Sequence, residues 1–434
     1  MKYFKYLFSA FLWISILNVN AQQKEQSQEF YFGKTIKSKS GININTPISY
    51  NEKTGYGFDY RSAEKVTFEK KNISGKTSIY FSVKLPEGNY TIDVVLGGKK
   101  SAITSVKAES RRLMLKEVKT DKKEFVHQSF TVNVRTPKID EHTNIAVKNR
   151  NKGQLNWDNK LTLEFSGEPA IQSIKITPAS NVINVFLAGD STVTDQDHEP
   201  WASWGQFITN YFTSDVVFAN YAESGASLPS FKGGRRLKKI LGLMQPGDYI
   251  FIEFGHNDEK IKGEGNGAWG LYTNLLKEFI EEARNKGGIP VLCTPTQRRA
   301  FNNDGTLKPT HGDYPAAMRK VAEELQVPLI DITKMTTKMY EAWGDEPSRK
   351  AFVQYPANTF PRQSKALEDN THFNSFGANE IAKSVVLGIQ QLNIGLVKYI
   401  KPNIPKYNPE NPNQLSDWTV PMSTRFEIET PDGN

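Results

Sequence analysis

Between residues 182 and 392, short and almost wholly apolar runs alternate with amphipathic stretches of helical length. No other feature of the chain restricts its fold as much. The runs are Val182–Ala188, Val216–Ala219, Tyr249–Ile252, Ile289–Leu292 and Pro328–Ile332. A strand covered on both faces needs an apolar side chain at every position, and so reads as a continuous run. The segments between them, Trp204–Phe212, Arg235–Leu243, Leu271–Lys286 and Ala316–Gln326, repeat apolar residues at helical spacing. A last helix is expected over Gly377–Leu392, with Ile381, Val385, Val386, Ile389 and Leu392 on one face. Strands alternating with helices build βαβ units, a parallel sheet and right-handed crossovers.

The preceding region has a different pattern. From about Phe30 to Thr177 the chain reads as short strands rich in β-branched and aromatic residues: Ser78–Leu85, Tyr90–Leu96, Phe130–Val134, Leu161–Phe165 and Ile171–Ile176. Turn signals at Pro86–Asn89, Gly97–Gly98 and Ser166–Pro169 separate them. Regular short strands without a convincing helix predict an all-β sandwich over residues 25–178. The α/β region is expected over 181–400, the boundary falling near residue 180. A tail rich in Pro and Asn follows over 401–434. A loose terminus and a strap packed across a domain both fit it; Trp418 and Phe426 favour the strap.

The first residues bear on compartment. Lys2 and Lys5 precede an apolar run, Tyr6–Leu17, and then Val19-Asn20-Ala21, the small-residue pattern that signal peptidase cleaves. The run is far short of the ~20 residues that span a bilayer, and no cysteine follows it to carry a lipid. The expectation is a cleaved signal peptide over 1–21 and export to the periplasm or medium. Cys293 is the only cysteine, so no internal disulfide can form; within Ile289–Cys293 it reads as a buried small hydrophobe. The formal charge of +8 attracts anions. For an exported chain an acidic polysaccharide is the expected partner, not nucleic acid, and no membrane span is expected.

In a doubly wound sheet the ligand site lies beyond the carboxyl ends of the strands. Four fragments fall there or at the entrance of the last helix: Gly189–Thr192, Asn220–Ser227, Gly255–Asp258 and Asp369–His372. Each alone reads as an ordinary turn; together they make a complete set for ester cleavage. Ser191, at a strand-to-helix turn, can serve as nucleophile. His372 has the chemistry of a general base, and Asp369, three residues earlier on the same turn, can fix its tautomer. The Ser191 and Gly225 backbone N–H groups and the Asn257 amide can donate to the oxyanion of a tetrahedral intermediate.

These fragments resemble the blocks of the SGNH (GDSL-like) hydrolases, with Ser191, Gly225, Asn257 and His372 at the block positions and Asp369 before the histidine. The resemblance implies a flavodoxin-like α/β three-layer domain. Within that superfamily, Gly189-Asp-Ser-Thr-Val193, Trp204-Gly-Gln206, Gly255–Asp258, Thr294-Pro-Thr296 and Asp369–Phe373 are most similar to rhamnogalacturonan acetylesterases. The β region resembles, more vaguely, a galactose-binding-like sandwich. The G-x-S-x-G elbow of ordinary α/β-hydrolases is absent.

The resemblance implies removal of O-acetyl groups from pectin by a Ser-His-Asp route through an acetyl-enzyme, with no metal or other cofactor. Arg235, Arg236, Arg298 and Arg299 are candidates to reach the cleft and meet a uronate carboxylate. Trp201, Trp204 and Trp269 could stack on sugar rings or fill a core, His311 is a candidate for the cleft rim, and no residue is assigned to substrate. Segments 260–269 and 337–365 read as insertions that remodel the cleft. A xylan acetylesterase, a lipase, a thioesterase and a non-catalytic carbohydrate-binding protein are the rivals. The Lys, Glu, Gly and Asn of the insertions argue against a lipase lid.

Overall fold

The computed structural model describes residues 27–432, so the expected signal peptide over 1–21 lies outside the described residues. Five parallel strands form the sheet of the second region, in the order Val216–Asn220, Ile183–Gly189, Tyr249–Glu253, Ile289–Cys293 and Leu329–Ile330. This 2-1-3-4-5 order is that of flavodoxin-like sheets, with a switch point beside the first strand.

Alternate side chains of each strand enter separate cores. Val185, Leu187, Phe218, Phe251 and Val291 pack with the helices Ile332–Trp343 and Ser375–Leu392. Phe186, Ala188, Ala219, Ile250, Ile252 and Leu292 pack with Arg236–Leu243, Thr273–Asn285 and Tyr314–Leu325 on the other face. Two buried faces explain why these strands read as unbroken apolar runs, and they make the region three layers deep.

The first region is a sandwich of a seven-stranded and a five-stranded sheet. Phe30, Ile92 and Ile174 of one sheet share a core with Phe81, Val106 and Leu163 of the other. Phe81 is central: the rings of Phe30, Phe32 and Phe58 lie 5.2, 5.2 and 5.4 Å from it, in edge-to-face contacts. Truncating one such phenylalanine to alanine typically costs about 3–5 kcal/mol.

The two regions meet through buried charge. The corner Glu109–Arg112 of the sandwich carries Arg111, which pairs with Glu199 at 2.6 Å and donates to the Trp201 carbonyl at 2.6 Å. Ser110 donates to Asp197 at 2.6 Å, and Arg135 pairs with the fully buried Asp195 at 2.8 Å. Removing one partner of a buried pair leaves an uncompensated charge, at a cost of about 3–5 kcal/mol. The sandwich therefore holds the whole segment that follows the nucleophile turn.

The tail is a strap. Trp418 packs edge-on to Phe207 at 5.7 Å, and the buried Lys107 donates to Pro421 O and Ser423 Oγ, both at 2.9 Å. Beyond it, Glu199 N donates to Arg425 O at 2.8 Å and Glu427 N returns to Glu199 O at 2.9 Å. Arg425 makes a bidentate pair with Asp197.

Segment 337–365 carries regular structure: it completes the helix Ile332–Trp343 and supplies the strand Phe352–Tyr355, which pairs with the strand carrying His372. The Asp331 side chain accepts from Lys334 N and starts that helix, which shortens the last parallel strand to Leu329–Ile330. One expectation is corrected. Asp369 and His372 do not share a turn: both lie on the strand Leu367–Phe373, antiparallel to Phe352–Tyr355. Asn374 then caps the final helix, its side chain accepting from Gly377 N at 3.1 Å.

Candidate active site

Ser191 follows the first parallel strand directly, at the carboxyl edge of the sheet. Gly189 lets the turn close, because a Cβ there would fall 2.5 Å from Val193 Cγ2 and 2.9 Å from Glu253 O. Asp190 Oδ1 fixes the turn by accepting from Thr192 N at 2.9 Å and Thr192 Oγ1 at 2.8 Å.

The irregular pairing of the Leu367–Phe373 strand turns His372 toward Ser191. His372 Nε2 lies 2.8 Å from Ser191 Oγ, and His372 Nδ1 lies 2.8 Å from Asp369 Oδ2. A carboxylate only accepts, so Nδ1 carries the proton and Nε2 is left to accept from the serine hydroxyl. Asp369 Oδ1 accepts from Thr371 N at 2.7 Å and His372 N at 2.8 Å. Burial pushes the Asp369 carboxyl up, but bonding and charge from His372 outweigh it and hold the group below the usual carboxylate range. The Trp201 ring stands edge-on to the imidazole at 5.9 Å, and its Nε1 donates to Glu427 O of the strap at 3.2 Å.

Three strand-end loops are tied together around this row. Gln196 Nε2 donates to Ser191 O at 2.9 Å and to Ser224 Oγ at 3.3 Å. Asn257 Nδ2 donates to Ala226 O at 3.1 Å, which leaves its second proton, and Leu228 N donates to Asp258 Oδ1 at 2.9 Å. Among the described residues, the Ser191 and Gly225 backbone N–H groups have no protein acceptor. The structure thus brings Ser191, Asp369 and His372 into one hydrogen-bonded row and ties the loops of Gly225 and Asn257 to it.

Beneath the nucleophile lies a buried acidic pair. Glu253 accepts from Trp204 Nε1 at 2.6 Å and lies 3.0 Å from Thr192 Oγ1, whose proton goes to Asp190. Burial, and then the nearby Asp190 charge, push its carboxyl up to about 8. Its folded pKa exceeds its unfolded one, so its contribution to stability is full below about 4.5 and is lost as pH rises through about 8. Glu253→Gln removes this titration. The drop in Tm between pH 6 and pH 9 should therefore be smaller in the variant than in the parent. Equal drops in a thermal-melt comparison would mean that Glu253 titrates normally.

Most of the other candidates serve the scaffold. Arg236 is buried, pairing with Glu223 at 2.6 Å and donating to Tyr221 O at 2.9 Å. Arg235 donates to Asn144 O at 3.3 Å, in the sandwich region. Arg299 pairs with Asp345 and donates to Asn370 Oδ1 at 3.0 Å, bracing the strand segment between Asp369 and His372. Arg298 pairs with Glu259 at 2.6 Å beside the buried His311, whose Nδ1 donates to Glu259 at 3.0 Å and whose ring sits 4.5 Å from that of His256. The Thr294–Thr296 segment is buried. Trp204 is core, whereas Trp269 is 57% exposed, with Nε1 donating to Asp313 at 2.9 Å. The Cys293 thiol is wholly buried, which pushes its pKa well up and leaves it unreactive.

Sequence reasoning missed Gln196 and the strap residue Glu427. Both act through contacts that span loops, and no local pattern marks them. Among the described residues, no helix is long and apolar enough to cross a membrane.

Residues 187–378 match the sequence model of a family described as the GDSL-like Lipase/Acylhydrolase family. Rhamnogalacturonan acetylesterase RhgT of Bacillus subtilis (strain 168) is 43% identical over 220 residues, covering 50% of this chain and 94% of the relative. A probable rhamnogalacturonan acetylesterase, YesY, of the same organism is 36% identical over 220 residues, covering 50% and 97%. The uncharacterized esterase YxiM, also from B. subtilis, is 24% identical over 394 residues, covering 87% of this chain and 93% of the relative.

Proposed function

The chain belongs to the GDSL-like lipase/acylhydrolase family and is a carboxylic ester hydrolase; from that premise we propose that it is an exported acetylesterase of rhamnogalacturonan. The observation that carries the chemistry is the row Ser191–His372–Asp369, with both links at 2.8 Å, at the carboxyl edge of the parallel sheet. The substrate rests on the relatives named for it and on the formal charge of +8, which suits an anionic polymer. Export rests on the sequence pattern of residues 1–21. A galactose-binding-like role for the sandwich remains part of the proposal, supported by its all-β architecture.

In the proposed mechanism Ser191 Oγ attacks the acetyl carbonyl carbon while His372 Nε2 accepts the hydroxyl proton. Asp369 stabilises the resulting imidazolium and keeps its ring oriented. The oxyanion meets the Ser191 and Gly225 N–H groups and the free amide proton of Asn257. His372 returns the proton to the departing sugar oxygen, leaving an acetyl-serine. Water, deprotonated by the same imidazole, then attacks the acetyl carbon, and acetate leaves as Ser191 regains its proton.

The test measures acetate released from acetylated rhamnogalacturonan and from acetylated xylan. Release from the pectic polymer at a rate at least about tenfold above that from xylan is expected, a discrimination of about 1.4 kcal/mol. Faster release from xylan would overturn the substrate. Silence on both, with hydrolysis of a small acetyl ester intact, would keep the chemistry and discard the polymer.

A further inference from the structure

An oxyanion donor works only if its N–H is aimed, and the Gly225 N–H belongs to the Ser224–Gly225 peptide. This peptide is trans, so its C=O and N–H point in opposite directions and cannot be set independently. Whatever grips the Ser224 oxygen therefore sets the direction of the Gly225 N–H. The grip comes from the sandwich region: Lys148 Nζ donates to Ser224 O at 2.6 Å.

The lysine is itself held. Asp432 Oδ2 of the strap accepts from Lys148 Nζ at 2.9 Å, and Asp432 Oδ1 accepts from Arg150 Nη1 at 2.9 Å. Arg150 Nη1 also donates to Thr430 O at 3.0 Å, fixing the strap on that side. Gly225 has φ +77°, and a Cβ on it would fall 2.8 Å from Asp432 Cβ and 3.1 Å from Lys148 Nζ. Only glycine leaves room for the lysine and the strap together.

A cation on a carbonyl oxygen does more than hold it. It draws electron density through the amide and makes the N–H at the far end a stronger donor, as in any polarised hydrogen-bond chain. A charge-assisted bond is also stronger than one between neutral groups, so the peptide plane is better fixed.

We propose that Lys148 is a positioning residue of the esterase, one that lets the sandwich region complete the oxyanion hole by clamping the Ser224 carbonyl and aiming the Gly225 N–H. The assignment rests on Gly225 being an oxyanion donor in the reaction proposed above. It gives the sandwich a catalytic task that is separate from any glycan binding.

The test uses the full chain and a small acetyl ester, so that polymer binding does not enter. Removing an oxyanion donor outright costs about 10²–10³ in kcat, and misaiming one should cost less. Lys148→Met should lower kcat on the order of tenfold with KM within about twofold, and should weaken inhibition by a boronic acid, a tetrahedral mimic, by a similar factor. Lys148→Arg should restore most of kcat. The Lys148 side chain is 36% exposed and methionine matches its unbranched stem, so the substitution removes the cation with little loss of volume. If Lys148→Met nevertheless fails to fold, Lys148→Gln, an uncharged donor, should fall between it and the parent. A kcat at the parent level in Met or Gln variants overturns the proposal, as does a loss confined to KM. Asn257→Ala separates the two readings. If it lowers kcat while Lys148→Met does not, only the lysine assignment falls; if neither lowers kcat, the oxyanion hole itself is misplaced.

Discussion

Ser191→Ala should lower kcat on acetyl esters by at least on the order of 10⁴-fold while leaving Tm within about 2 °C of the parent. The loss is large because the hydroxyl is both the attacking atom and the proton source for His372 Nε2, 2.8 Å away. Without it the imidazole can only activate water at a site shaped for an acyl-enzyme, and what remains is binding and the oxyanion donors. Stability should barely move. The hydroxyl has one side-chain partner, and the turn is held by Asp190 on Thr192 and by Gln196 on the Ser191 carbonyl, none of which the substitution removes. Steady-state kinetics on a folded variant decide the matter. Residual turnover above about one per cent would remove Ser191 from the mechanism.

Asp369→Asn should cost a comparable factor, on the order of 10⁴, for a different reason. The Thr371 and His372 amides both donate to Asp369 Oδ1, so an asparagine keeps its oxygen there and presents its NH₂ to His372 Nδ1. That nitrogen must then accept, the ring proton moves to Nε2, and the base points a proton at the Ser191 hydroxyl. The backbone bonds survive, so the loss should appear in kcat with the fold intact. An ¹⁵N spectrum of the imidazole should show the proton on Nδ1 in the parent and on Nε2 in the variant. A variant that kept both its Nδ1–H and its activity would contradict this account.

Much of this was legible in the sequence, and the reasons are particular. Phe186 and Leu187 enter cores on opposite faces of one sheet, so their strand had to read as continuously apolar. Phe81, Val83 and Leu163 show the period-two pattern of a sandwich. Ser191, Gly225, Asn257 and His372 fell at strand ends in order, and the structure places Ser191 and His372 in direct contact. The strands Ala102–Ala108 and Arg112–Thr120 escaped notice because Lys107, Arg111 and Arg112 break the apolar pattern. Those charges are buried against the second region and the strap, which a local window cannot see. The helix Ile332–Trp343 was hidden for a related reason: its Thr and Lys content reads as loop, and Met339, Tyr340 and Trp343 find their partners on the final helix and on Phe352. Lys148 carried no signal at all, since a single lysine in a polar loop gains meaning only from the carbonyl it meets.

The strap also orders events in time. Arg425 is added to the growing chain 228 residues after Asp197, and Glu427 226 residues after Trp201, yet both seat the segment beside the nucleophile. Such contacts close long loops, so a folding chain can form its parallel sheet and bring Ser191 to His372 before the brace for Trp201 is in place. The cleft is then latched last: a partly folded chain can hold its hydrolytic row while the segment beside the nucleophile is still unbraced.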